Sequence, residues 1–133
     1  MKQEYRRTKT TVSLINYHFV FCPRYRRKIF SNQKVEERFK EIVHEVCIEQ
    51  EIEVLAIECD KDHTHLFLNA LPQISPSQIM AKIKGVSSRK LRQEFKHLKH
   101  LPSLWTRSFF VSTAGNVSSD TIKKYVEEQK TRG

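Results

Sequence analysis

Hydrophobic and polar positions alternate with two different periods along this chain. From Thr10 to Phe21 the period is two: Ile15, Tyr17, Phe19 and Phe21 fall on one side, Asn16, His18 and Val20 on the other. Strand side chains alternate in this way, and β-branched and aromatic residues favour strands. The stretch predicts a first strand, ended by Pro23. The polar, basic residues 1–9 before it read as a loose arm. After Ser31 or Asn32, either of which can cap a helix, Val35, Phe39, Ile42, Val43 and Val46 form one apolar stripe. That spacing predicts a helix to about Gln50, with His44 off the stripe and on the surface. Ile52–Cys59 predicts a second strand. Asp60-Lys61-Asp62 is a tight connection into a third, His63 to Asn69, so the two should form a hairpin. Ser75-Pro76 opens a second helix carrying Ile79, Ile83, Val86, Leu91 and Phe95. Ser108 to Thr113 predicts a fourth strand. Gly115-Asn116 is a break. Ser118, Ser119 or Asp120 then caps a terminal helix from Thr121 to about Lys130.

The order β-α-β-β-α-β is the split βαβ of the ferredoxin-like and RRM-like α+β folds. Two helices should cover one face of a four-stranded antiparallel sheet. The other face also needs cover, and the extra C-terminal helix is available to supply it. The 133 residues contain no internal repeat, and one domain spanning 1–133 is expected.

Composition adds a partner class. Lys and Arg total 24 against 15 acids, a formal charge of +9. Such an excess suits a polyanion, nucleic acid by default, although a generally basic surface carries the same charge. Two basic clusters are candidates for DNA contact. Arg24, Tyr25, Arg26, Arg27 and Lys28 put four cations around a ring that can stack on a base. Lys82, Lys84 and Arg89 decorate the second helix, most of them able to face solvent. Three cysteines without a C-x-x-C pair read as reduced and mostly buried, consistent with a cytoplasmic protein. No apolar run reaches the length of a membrane span, and no phosphate-binding G-x-x-x-x-G-K-[ST] loop occurs. Neither a membrane nor a nucleotide cofactor is expected.

The third strand carries the most specific chemistry. His63, His65, Phe67 and Asn69 point one way; Thr64, Leu66 and Leu68 point toward the core. Two imidazoles two residues apart on a strand, about 6–7 Å between Cα atoms, can converge on one ion. Asp62 directly precedes the pair and is a candidate to support it. His97 and His100 lie in the polar tail of the second helix, with nothing to bring them there. On the terminal helix Tyr125 and Gln129 are four apart and share a face.

His63-Thr64-His65, after Asp62 and before Leu66, resembles the HUH motif. Three further stretches resemble the same family. They are Tyr17-His18-Phe19-Val20-Phe21 with Arg24-Tyr25-Arg26, then Leu104-Trp105-Thr106-Arg107-Ser108-Phe109-Phe110-Val111, then Gly115 leading to Ile122 through Gln129. In order and over nearly the whole chain they are similar to the single-tyrosine HUH transposases of the small insertion sequences of the two-hundred/six-hundred-five type. The resemblance implies a homodimer that recognises DNA hairpins and cuts and rejoins single-stranded DNA through a 5′-phosphotyrosine. It implies Tyr125 as nucleophile and His63, His65 and Gln129 as ligands of a divalent metal, Mg²⁺ or Mn²⁺ by donor type. It allows the Tyr125 helix to serve the partner's histidines in trans, and Gly115 with the polar run after it would be the tether. The rival reading is a non-catalytic DNA-hairpin-binding module on the same fold. An RRM is disfavoured because its aromatic RNP1 pattern is absent. A TIM-barrel metallohydrolase is disfavoured because the chain is too short.

Overall fold

The structure is a computed structural model and describes residues 3–113 and 119–133. The expected break and tether from Gly115 to Ser118 lie outside the described residues. The elements are β1 (Arg6–Arg7), β2 (Val12–Ser13), β3 (Ile15–Phe21), α1 (Gln33–Glu49), β4 (Glu53–Asp60), β5 (His63–Ala70), α2 (Pro76–Glu94), β6 (Phe110–Ser112) and α3 (Ser119–Glu128). Among the described residues, β4-β5-β3-β6 form a four-stranded sheet in that spatial order, each neighbour antiparallel. This is the α+β, ferredoxin-like arrangement.

The alternation of β3 and β5 sets the layers. Phe19 and Phe21 point to the same side as Leu66 and Leu68, where α1 supplies Phe39, Ile42 and Val43 and α2 supplies Ile79, Ile83 and Leu91; all are fully buried or nearly so. Trp105 completes an aromatic cluster, 4.9 Å from Phe21 and 5.4 Å from Phe39 between ring centres. Truncating one such residue to alanine typically costs about 2–5 kcal/mol. The helices start where their caps dictate. Asn32 Oδ1 accepts from the backbone N–H groups of Lys34 and Val35, and Ser75 and Gln78 form a reciprocal capping box before Pro76.

Three boundaries differ from expectation. The N-terminal arm is not loose. Arg6–Arg7 pairs with Val12–Ser13, and the Arg6 guanidinium donates to Asn69 Oδ1 and the Glu51 carbonyl, each at 2.8 Å. The first strand therefore begins at Ile15, after a separate hairpin. The fourth is confined to Phe110–Ser112 and pairs only with His18–Val20, which leaves Ser108 outside the strand. The second strand runs on to Asp60, and Lys61-Asp62 alone makes the turn.

The second strand also carries a bulge. Val54 pairs with Leu68, but Ala56, not Leu55, pairs with Phe67. One extra residue flips the phase of everything after it. Val54 and Ile57 thus both face the helices, and Ala56, Glu58 and Asp60 join Phe67, His65 and His63 on the opposite face.

That opposite face is covered in part by α3. Val126, Ile122 and Tyr125 pack on Val20, Cys22 and Phe110, a patch much smaller than the main core.

Candidate metal centre and tyrosine helix

His63 and His65 project from the same face of β5, with ring centres 5.2 Å apart. Each has its Nδ1 engaged. Asp62 sits in the turn rather than the strand, so strand alternation does not turn it away, and its Oδ1 lies 2.9 Å from His63 Nδ1. Burial raises the Asp62 carboxyl, but hydrogen bonds from His63 and Arg26 outweigh it and hold the group below its usual range. An ionised Asp62 has no proton to give, so His63 Nδ1–H donates to it. Asp62 is fixed in turn by two bonds from Arg26, 3.1 Å from Nε and 2.9 Å from Nη2.

His65 Nδ1 lies 3.1 Å from Nε2 of His18, on the neighbouring strand β3. His18 is buried and stacks on Phe67, ring centres 4.3 Å apart. When His65 Nδ1–H donates to His18, Nε2 of His65 is left bare for an ion. Burial first, then the neighbouring imidazoles, lowers the His65 pKa, which favours the neutral ring a metal requires.

A third donor group stands beside them. Oδ2 of Asp60 is 3.0 Å from Nε2 of His63. The ligand atoms of Asp60, His63 and His65 all lie within 4.8 Å of one another. Two imidazoles and a carboxylate are a donor set that accepts divalent first-row ions and Mg²⁺. A possible metal-binding group is therefore present, and its chemistry fits a divalent cation.

Tyr125 and Gln129 come together, as their spacing requires, but on the β6 side of α3. The Tyr125 hydroxyl is 2.9 Å from Ser108 Oγ, and Ser108 donates to Gln129 Oε1 at 2.9 Å. With Ser108 donating onward, the phenol is the donor to Ser108. Gln129 is buried and its Nε2 lies 3.4 Å from the Tyr125 carbonyl. Burial pushes the Tyr125 phenol up to about 12. The cavity beside the histidines, about 370 Å³, is lined by Arg26, His63, His65, Ile122, Lys123, Val126 and Glu127. α3 thus roofs the histidine cavity with Ile122 and Val126, while Tyr125 and Gln129 are occupied at Ser108.

The candidate DNA-contact residues divide. Tyr25 and Arg26 both adopt positive φ, 57° and 50°, a strained pair for non-glycine residues. This bend turns Arg26 inward to Asp62 and leaves Tyr25 and Arg27 outside, with the Arg27 guanidinium 5.4 Å from the Tyr25 ring centre. Arg27 and Lys28 line a cleft of about 600 Å³ with His97 and His100. Lys82 and Arg89 are exposed, and Arg24 is half-buried. Lys84 does not face solvent. Its Nζ donates to the carbonyls of Thr106 at 2.6 Å and Ser108 at 3.0 Å, and burial brings its pKa down to about 8. Its cation anchors the segment that holds Tyr125. The cysteines are free, and burial raises their thiols to about 12 for Cys22 and Cys47 and about 11 for Cys59. Such thiols are unreactive. Among the described residues no helix is long and apolar enough to cross a membrane.

Fold and site first define a class: a ferredoxin-like α+β protein with a histidine-carboxylate cluster on one sheet face and a tyrosine-bearing helix laid across that face. Residues 11–129 match the IS200-like transposases, and the chain belongs to that family of DNA-processing enzymes. It is 35% identical over 120 residues to the transposase for insertion sequence element IS200 of Salmonella typhimurium, covering 86% of this chain and 78% of that one. It is also similar to a crystal structure described as that of a transposase from Deinococcus radiodurans. The TM-score is 0.85 at 28% identity, over 93% of this chain and 97% of the other. The structure of the REP-associated tyrosine transposase bound to a REP hairpin shares the fold, with a TM-score of 0.59 at 17% identity over 95% of this chain and 69% of that one.

Proposed function

We propose that this transposase cuts and rejoins single-stranded DNA at the ends of an insertion sequence, with Tyr125 as the nucleophile. The observation that carries the reading is the pair of braced imidazoles, His63 and His65, under the one helix that bears Tyr125. When bound there, a divalent cation such as Mg²⁺ or Mn²⁺ supplies positive charge to polarise a scissile phosphate. His63 and His65 hold it.

Tyr125 Oη attacks phosphorus and the P–O3′ bond breaks. The phenol gives up its proton, the departing 3′ oxygen gains one, and the 5′ phosphate stays on the tyrosine. Rejoining is the reverse, a 3′ hydroxyl attacking the phosphotyrosine. The linkage conserves the bond energy, so no nucleotide is consumed. In its bond to Ser108 the phenol is protonated and not aimed at the histidine cavity, so attack requires Tyr125 to leave Ser108. The small patch under α3 makes that movement cheap. In a homodimer α3 serves either its own histidines or those of the partner subunit. Arg27, Lys28 and Tyr25 line the outer path for the DNA, a phosphate contact surface with a stacking ring. A DNA hairpin, which the REP-associated tyrosine transposase binds, is the substrate expected here.

The test is cleavage of single-stranded DNA carrying an insertion-sequence end. His63→Ala and His65→Ala each lose cleavage, and so does the parent protein in EDTA. Full cleavage in EDTA removes the metal from the mechanism.

A further inference from the structure

We propose that Asp60 is a ligand of the metal, so that one β-hairpin holds the ion without help from α3. The proposal rests on the reading that His63 and His65 bind a divalent cation, and it adds a third ligand from the chain itself.

The bulge at Leu55 is what brings Asp60 to the site. Strict alternation from Val54, which faces the helices, would turn Ala56, Glu58 and Asp60 to the helices as well. The extra residue reverses them, and Asp60 pairs directly with His63 across the two-residue turn. Bulges commonly re-aim a side chain next to an active site.

Donor accounting points the same way. Asp62 accepts from His63 Nδ1–H, and His65 Nδ1 is engaged with His18 Nε2, so both rings are held by their Nδ1 atoms. Asp60 Oδ2 stands 3.0 Å from His63 Nε2, and the donor atoms of Asp60, His63 and His65 converge within 4.8 Å of one another. A cation shared by Asp60, His63 and His65 satisfies all three. The carboxylate also supplies a full negative charge, which a neutral amide does not, and hard divalent ions favour it. Gln129, the ligand expected from the resemblance, has its oxygen committed to Ser108. The division of labour is then clear. Asp60 keeps the ion seated while α3 is elsewhere, and Gln129 is free to hold Ser108 beside Tyr125.

The test is Mn²⁺ binding to the DNA-free protein, read by calorimetry or by the loss of the free-ion electron paramagnetic resonance signal. Asp60 is exposed, so Asp60→Asn keeps the fold. It should weaken Mn²⁺ binding by roughly tenfold or more, at least the loss typical of a ligand's supporting partner. Gln129→Leu, of similar size, should leave the affinity within about twofold. Parent-like affinity in Asp60→Asn overturns the proposal, because it makes Asp60 the counter-charge of a doubly hydrogen-bonded His63 imidazolium. So does an equal loss in Gln129→Leu. If His65→Ala abolishes binding while Asp60→Asn does not, Asp60 alone is wrong. If the parent protein binds no Mn²⁺, the metal reading of the histidines falls with it.

Discussion

At the scale of single residues, the proposed reaction depends first on the Tyr125 hydroxyl. Its pKa rises from the ordinary value near 10 to about 12 chiefly because burial disfavours the phenolate. At neutral pH the phenolate fraction in this pose is on the order of one in 10⁵. An ultraviolet difference titration of the parent protein against Tyr125→Phe should therefore show one phenol ionising near pH 12. The sign for stability follows. The folded value lies above the unfolded one, so this group's contribution is whole below about pH 10 and is lost as pH climbs through about 12. A difference component centred near 10 would mean that Tyr125 is already outside the Ser108 pocket. His18 and Asp60 escaped sequence reading at this scale for different reasons. His18 touches His65 only through the register of strands far apart in sequence. Asp60 looked like a turn residue, because a bulge leaves no mark on a hydrophobic pattern whose extra member, Leu55, is itself apolar. Asp62 was visible as a neighbour of His63, though the turn that lets it reach back was not.

At the scale of elements, the periods of two and 3.6 carried the fold. The strand faces of β3 and β5, the apolar stripe of α1 and the caps at Asn32 and Ser75 all follow from local chemistry. What periodicity could not give was pairing. Lys84 looked like one cation among many on α2, and only the packed 106–108 segment shows that its ammonium is spent on two carbonyls. Arg26 likewise looked free for phosphate until the positive-φ turn aimed it at Asp62. The two faces of the sheet also differ in depth. α1 and α2 sit on the main core, whereas α3 rests on Val20, Cys22 and Phe110. Local opening free energy follows buried apolar contact. Native-state hydrogen exchange should accordingly show α3 amides exchanging well before those of α1, while α1 and α2 exchange near the global limit. Protection in α3 equal to that in α1 would contradict a helix that can release its tyrosine.

At the scale of the whole molecule, the basic surface, the histidine face and α3 define one account: a single strand bound outside, a metal held by the hairpin, and a tyrosine delivered by a loosely seated helix. A net charge of +9 draws the DNA in, but it does not say where cleavage occurs. The covalent intermediate does. Single-stranded DNA carrying an insertion-sequence end is incubated with the parent protein and Mg²⁺. The products are denatured, digested and read by mass spectrometry. The account predicts a nucleotide joined through its 5′ phosphate to Tyr125, and no adduct in Tyr125→Phe even where that variant still binds the DNA. An adduct on another residue, or one that persists in Tyr125→Phe, would contradict it.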